Sequence, residues 1–249
     1  MQIPLLCRNP IIFMNAGFIV NEKNQLQEIR NTDLPRQPAA VRLAAKIISY
    51  IFHPVFVPVY IVWFMVYIHP FLFAGLVSFD KLRVVIMALL MYTLFPVVTV
   101  LLLKALKFIQ TIQLTTQKDR VIPLVACGIW YFWICYIWWN SNKMDDSFII
   151  PKVAVKLSLA IFLSSWLALM TNIIMKVSLH AISMGLMLTF IFLLAFSQQL
   201  NFGIYISVAL LIAGLVCSSR FIVSDHTAKE VYGGFLIGIV SMLVANWFV

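Results

Sequence analysis

The chain has 249 residues, 63% of them hydrophobic and only 11% charged, with a mean hydropathy of +0.98. A soluble domain carries about 25% charged residues, and a single core of this size cannot hide so much apolar surface. Soluble enzyme, disordered tail and nucleic-acid binder are therefore poor readings. The net charge of +9 comes from 18 Lys and Arg against 9 Asp and Glu. On a membrane chain it points to cytoplasmic loops, lipid head groups or a phosphate site.

Residues 1–43 form a mixed arm, with apolar pieces Ile3–Leu6 and Ile11–Val20 interrupted by Arg8, Asn9, Pro10 and Asn15. No small-residue cleavage site stands out in it, so a signal peptide is not expected. Residues 44–249 read as a transmembrane domain. Apolar runs fall at about 45–69, 83–103, 121–139, 153–175, 181–197, 203–218 and 231–248. Each is near the roughly 20 residues that cross a bilayer as a helix. Alternating barrel strands are absent, so the expected fold is an all-α bundle of about six or seven spans. Pro54 and Pro58 predict a kink in the first run. Gly234 and Gly238 set a GxxxG spacing in the last run that permits close helix packing. The four cysteines, Cys7, Cys127, Cys135 and Cys217, have no CxxC spacing and read as small hydrophobes rather than disulfides or metal ligands.

Ionisable residues at span ends are costly unless paired or functional. Three clusters qualify: Lys118, Asp119, Arg120 and Pro123; then Lys176, Ser178 and His180; then Ser219, Arg220, His226 and Glu230. With seven spans all three lie at one membrane face, together with loop 104–120, the 176–180 junction and loop 219–230. Loops 70–82, 140–152 and 198–202 lie at the other. Arginine forks and lysines neutralise a phosphate, and two histidines supply a nucleophile and a proton donor. Glu230 follows His226 by one helical turn, so its carboxylate can take the ring N–H. His53-Pro54 and His69-Pro70 flank the first run and carry a weaker signal. His69 falls at the end away from the clusters.

The clusters resemble the three signature motifs of the type 2 phosphatidic acid phosphatase superfamily: Lys-x6-Arg-Pro, Pro-Ser-Gly-His and Ser-Arg-x5-His-x3-Asp. The third stands here as SRFIVSDHTAKE, the second as VSLH and the first as KDRVIP, in the same order, over about residues 45 to 248. The resemblance implies an integral-membrane lipid phosphatase with His226 as the nucleophile, forming a phosphohistidine. Glu230 would orient it, and His180 would be the general acid. Arg120, Arg220, Ser178 and Lys118 would hold the phosphate. It implies no metal and no other cofactor. The implied substrate is a phospholipid or polyprenyl phosphate or pyrophosphate lying among membrane lipids.

Several positions depart from the pattern. Lys118 is two residues before Arg120, and Gln113 stands where the family spacing has Lys. Val177 replaces Pro, Leu179 replaces Gly and Glu230 replaces Asp. Two apolar runs separate the first motif from the second. A catalytically silent relative, binding lipid phosphate or serving as a subunit of a membrane complex or homo-oligomer, is the alternative. A transporter fits less well, because the charges cluster at one face and not at the midplane. The expected location is a bacterial inner (cytoplasmic) membrane. The resemblance favours an extracytoplasmic site. The raw Lys and Arg distribution, thirteen at the motif face against five opposite, favours the cytoplasm.

Overall fold

The computed structural model describes residues 18–20, 26–28, 37–109, 117–141, 150–197, 201–223 and 226–249. Within the arm, β1 (Phe18–Val20) pairs antiparallel with β2 (Leu26–Glu28), Phe18 opposite Glu28. The other arm positions named above, with Cys7 and Gln113, lie outside the described residues.

Eight helices follow among the described residues. They are α1 (Ala39–Ile51), α2 (Val57–Trp63), α3 (Ser78–Ala105), α4 (Gln117–Trp139), α5 (Lys152–Ile174), α6 (Leu179–Ser197), α7 (Gly203–Val223) and α8 (Ala228–Phe248). Six of them, α3 to α8, are long and apolar enough to cross a membrane, so this is a helical, membrane-spanning architecture. α1 begins at Ala39, inside the segment the sequence assigns to the arm.

The first apolar run is where sequence and structure differ. It is a corner between two helices, and no single helix runs through it. Pro54 has no N–H and biases His53 away from helical backbone. The chain turns there, with the N–H groups of Phe56 and Val57 donating to the His53 carbonyl at 2.8 and 3.3 Å. Pro58 then occupies the first turn of α2, where a missing N–H is harmless. With its π-helical extension Phe64–Ile68, α2 covers only about 18 Å at 1.5 Å per residue. It nevertheless runs from the corner to the other end of the bundle. There Phe64 packs on Tyr205, and His69 packs on Phe202 with ring centroids 5.8 Å apart. The alternation of loops between two ends is therefore kept. At one end Arg120 meets Val177, Asn172 donates to the Gln117 carbonyl, and Ser49 meets Ser219. At the other, Lys156 donates to Asn246 at 3.0 Å.

Trp138, Tyr92, Phe190, Met65, Ile134 and Leu157 are fully buried and form the centre of the core. The outward faces carry bare hydrophobics such as Trp247, Phe196 and Ile174, each more than four-fifths exposed. Water would not tolerate such a surface, whereas lipid chains would cover it.

The tightest seam joins α6 and α8. A Cβ on Gly185 would collide with the Phe235 carbonyl, and one on Gly238 with the Ile182 carbonyl. One on Gly234 would stand 2.7 Å from the Ser178 carbonyl oxygen. The GxxxG spacing thus lets two backbones touch, and it brings the His180 end of α6 beside the start of α8.

Candidate active site

The first and second motifs meet because α4 and α5 form a helical hairpin. The two intervening runs carry the chain across and back, so Arg120 at the start of α4 and Val177 after α5 share one end. Arg120 Nη1 donates to the Val177 carbonyl at 2.7 Å, and the Arg120 side chain is buried. At the third motif, Thr227 caps α8: its Oγ1 accepts the Glu230 N–H at 3.4 Å. Glu230 thereby sits in the first turn, where the helix dipole favours a carboxylate. The Glu230 carboxylate reaches back and accepts from His226 Nδ1 at 2.5 Å. Because a carboxylate only accepts, Nδ1 carries the proton and Nε2 keeps its lone pair.

His226, His180, Arg120 and Arg220 line one cavity of about 300 Å³. His180 lies within the electrostatic reach of Arg220, His53 and His226. Arg120 and Arg220 feel each other's charge, and Arg120 also feels Glu230. Burial holds His226 below the ordinary histidine pKa of 6.5; Glu230 pulls the other way, while Arg220 and Lys176 add to the lowering. His226 is therefore neutral at pH 7. Most of the remaining wall is apolar: Val97, Leu101, Leu124, Cys127 and Ile161 extend the cavity between α3, α4 and α5, with Ser164, Ser165 and Ser183 also lining it.

Two residues at the α1–α2 corner, outside the three clusters, join the site. His180 Nε2 lies 3.1 Å from the Ser49 carbonyl, so Nε2 carries a proton. Ser49 Oγ accepts from Arg220 Nη1 at 3.3 Å and lies 2.9 Å from Ser219 Oγ. His53 lines the cavity, its ring edge-on to His180 with centroids 5.2 Å apart. No pattern marks Ser49. For His53, the helix-breaking His-Pro pair was the available clue.

Ser178 is not among the residues that line the cavity. It is fully buried, its Oγ accepts the Ala181 N–H at 3.4 Å to start α6, and its own N–H donates to the Glu230 carbonyl at 3.1 Å. Lys118 lies on the first turn of α4, and its side chain falls outside the described residues. Leu179, which replaces a glycine of the motif, lines the cavity beside His180. His69 is buried at the far end, its Nδ1 accepting the N–H groups of Phe71 and Leu72 at 3.3 and 3.2 Å. Cys135 is buried and Cys127 and Cys217 are partly so, all three as free thiols.

No family model, curated protein or solved structure matches the chain.

Proposed function

We propose that this protein is a membrane-embedded phosphatase that hydrolyses a lipid phosphate or pyrophosphate through a phosphohistidine, in the manner of the type 2 phosphatidic acid phosphatases its motifs resemble. One observation carries the reading. A single cavity of about 300 Å³ is lined by two arginines and an oriented histidine and, for most of the rest, by apolar side chains of α3, α4 and α5 that suit a lipid substrate.

In this chemistry His226 Nε2 attacks phosphorus, and the bond from phosphorus to the leaving oxygen breaks. Arg120 and Arg220 neutralise the non-bridging oxygens, so fixed positive charge lies where negative charge develops. His180 protonates the leaving oxygen. Its Nε2–H is held by the Ser49 carbonyl, so the transferred proton comes from Nδ1 of the imidazolium, for which the bound phosphate is the counter-charge. Water then attacks phosphorus and gives its proton to His180. The N–P bond breaks and phosphate leaves.

The test is phosphate release by detergent-solubilised protein, with a chelator present, from phosphatidic acid, phosphatidylglycerol phosphate, a polyprenyl diphosphate and a lipid A phosphate. At least one should be hydrolysed, and His226→Ala should reduce release to background. Silence toward the whole panel would defeat the enzymatic reading. Leu179 supports a second reading, a silent relative that binds the phosphate lipid without turnover, because its side chain occupies wall space where the motif has a bare backbone. Binding without release by the native chain, with turnover appearing in Leu179→Gly, would select it.

A further inference from the structure

We propose that His53 is a phosphate-binding residue of this cavity, donating its Nε2–H to a phosphate oxygen that Arg220 also holds. The assignment rests on the phosphate-site reading above, and none of the three motifs contains this residue.

Three observations support it. His53 stands at the α1–α2 corner, lines the same cavity as Arg220, His180 and His226, and is exposed there, as a ligand contact at a rim must be. The Val55 N–H faces its Nδ1 at 3.5 Å. A backbone N–H can only donate, so the lone pair is on Nδ1 and the proton on Nε2. The edge-on contact with His180 fixes the ring plane. Burial and the charge of Arg220 both hold His53 below the ordinary histidine pKa of 6.5. Solvent at the rim tempers the first effect, and Arg220 acts in the same direction. In the unliganded pocket, where Arg120 and Arg220 already repel each other, the ring thus presents its Nε2–H without adding to that repulsion. It also explains why the chain turns at a His-Pro pair: the break in the first run places this ring at the mouth.

Orthophosphate affinity of the full chain in detergent tests the assignment directly, measured by calorimetry for native protein, His53→Ala and His53→Gln. The glutamine amide presents an N–H donor in a similar place. His53→Ala should bind orthophosphate about five-fold more weakly, the effect of one lost neutral hydrogen bond. His53→Gln should recover most of that loss, with all three proteins melting at the same temperature. Equal affinity in His53→Ala and native protein would overturn the proposal, as would no orthophosphate binding by native protein or a loss that tracks a lowered melting temperature and is not recovered by Gln. The phosphatase reading fails separately. If lipid phosphates are not hydrolysed yet orthophosphate binding still depends on His53, the enzyme reading falls and this assignment stands. If hydrolysis proceeds and His53→Ala leaves phosphate affinity untouched, the reverse holds.

Discussion

A carboxylate one helical turn after a histidine decides which ring nitrogen is available for chemistry. In His226 and Glu230 that relation was legible from spacing alone, and the structure adds the cap by Thr227 that holds Glu230 in place. It also gives the sign of a pH effect. In the proposed reaction the attacking form of His226 is the neutral one, present above its pKa. Burial lowers that pKa below 6.5, so the acid limb that His226 gives kcat/KM should lie below that value, while the need for a protonated His180 makes kcat/KM fall on the alkaline side. Glu230 opposes the lowering. Glu230→Gln should therefore move the acid limb to still lower pH while reducing the rate; a limb that moves upward would contradict the assigned pair. Ser49 makes a second case. Ser49→Ala removes an acceptor from the Arg220 guanidinium and a partner from Ser219. A hydrogen bond to a charged group contributes about 1.5–3 kcal/mol to stability, so the variant should melt at a lower temperature, and KM for the phosphate substrate should rise as Arg220 loses its positioning partner, as measured by initial rates. Neither His53, which lines the pocket, nor Ser49, which backs it through His180 and Arg220, was legible as a site residue, because each arrives through a tertiary corner that leaves no local spacing to read.

Helices are where hydrophobic physics speaks most clearly, and α3 to α8 fall close to the apolar runs that mark them. The exception is the first run. Composition alone cannot separate one kinked span from two helices around a corner. Two prolines four residues apart signal a break, but not how sharply the chain turns. The α6–α8 seam was partly legible: Gly234 and Gly238 announce a close approach, whereas Gly185 on the facing helix has no motif of its own. Gly238→Ala should force the two backbones apart at the Ile182 carbonyl. Overpacking of this kind destabilises by about 1–3 kcal/mol, read as a lowered melting temperature in detergent. Activity should fall as well, since Ser178 and Glu230 are bonded backbone to backbone along that seam.

For the whole molecule, the alternation of loop ends makes sidedness testable without knowing which side is which. In a chain whose native cysteines are replaced by alanine, Lys107→Cys and Lys229→Cys should react with a membrane-impermeant maleimide from one side of sealed vesicles. Lys152→Cys and Asn201→Cys should react only from the other. A mixed pattern would contradict the bundle. Charge could not supply this orientation from sequence, since the basic residues that signal topology are in part the ones that line the cavity. The interlocked glycines of α6 and α8 have a mechanical consequence too. The wall that carries His180 and leads into His226 has no slack, because its backbones are already in contact. The opposite wall, from α2 and α3, is interrupted by Pro96 and by π turns at Phe64–Ile68 and Leu90–Leu94, irregularities of the kind at which helices bend. Any widening that admits a bulky guest therefore falls to α2 and α3, while the wall that carries His180 stays fixed like an anvil beneath a moving hammer.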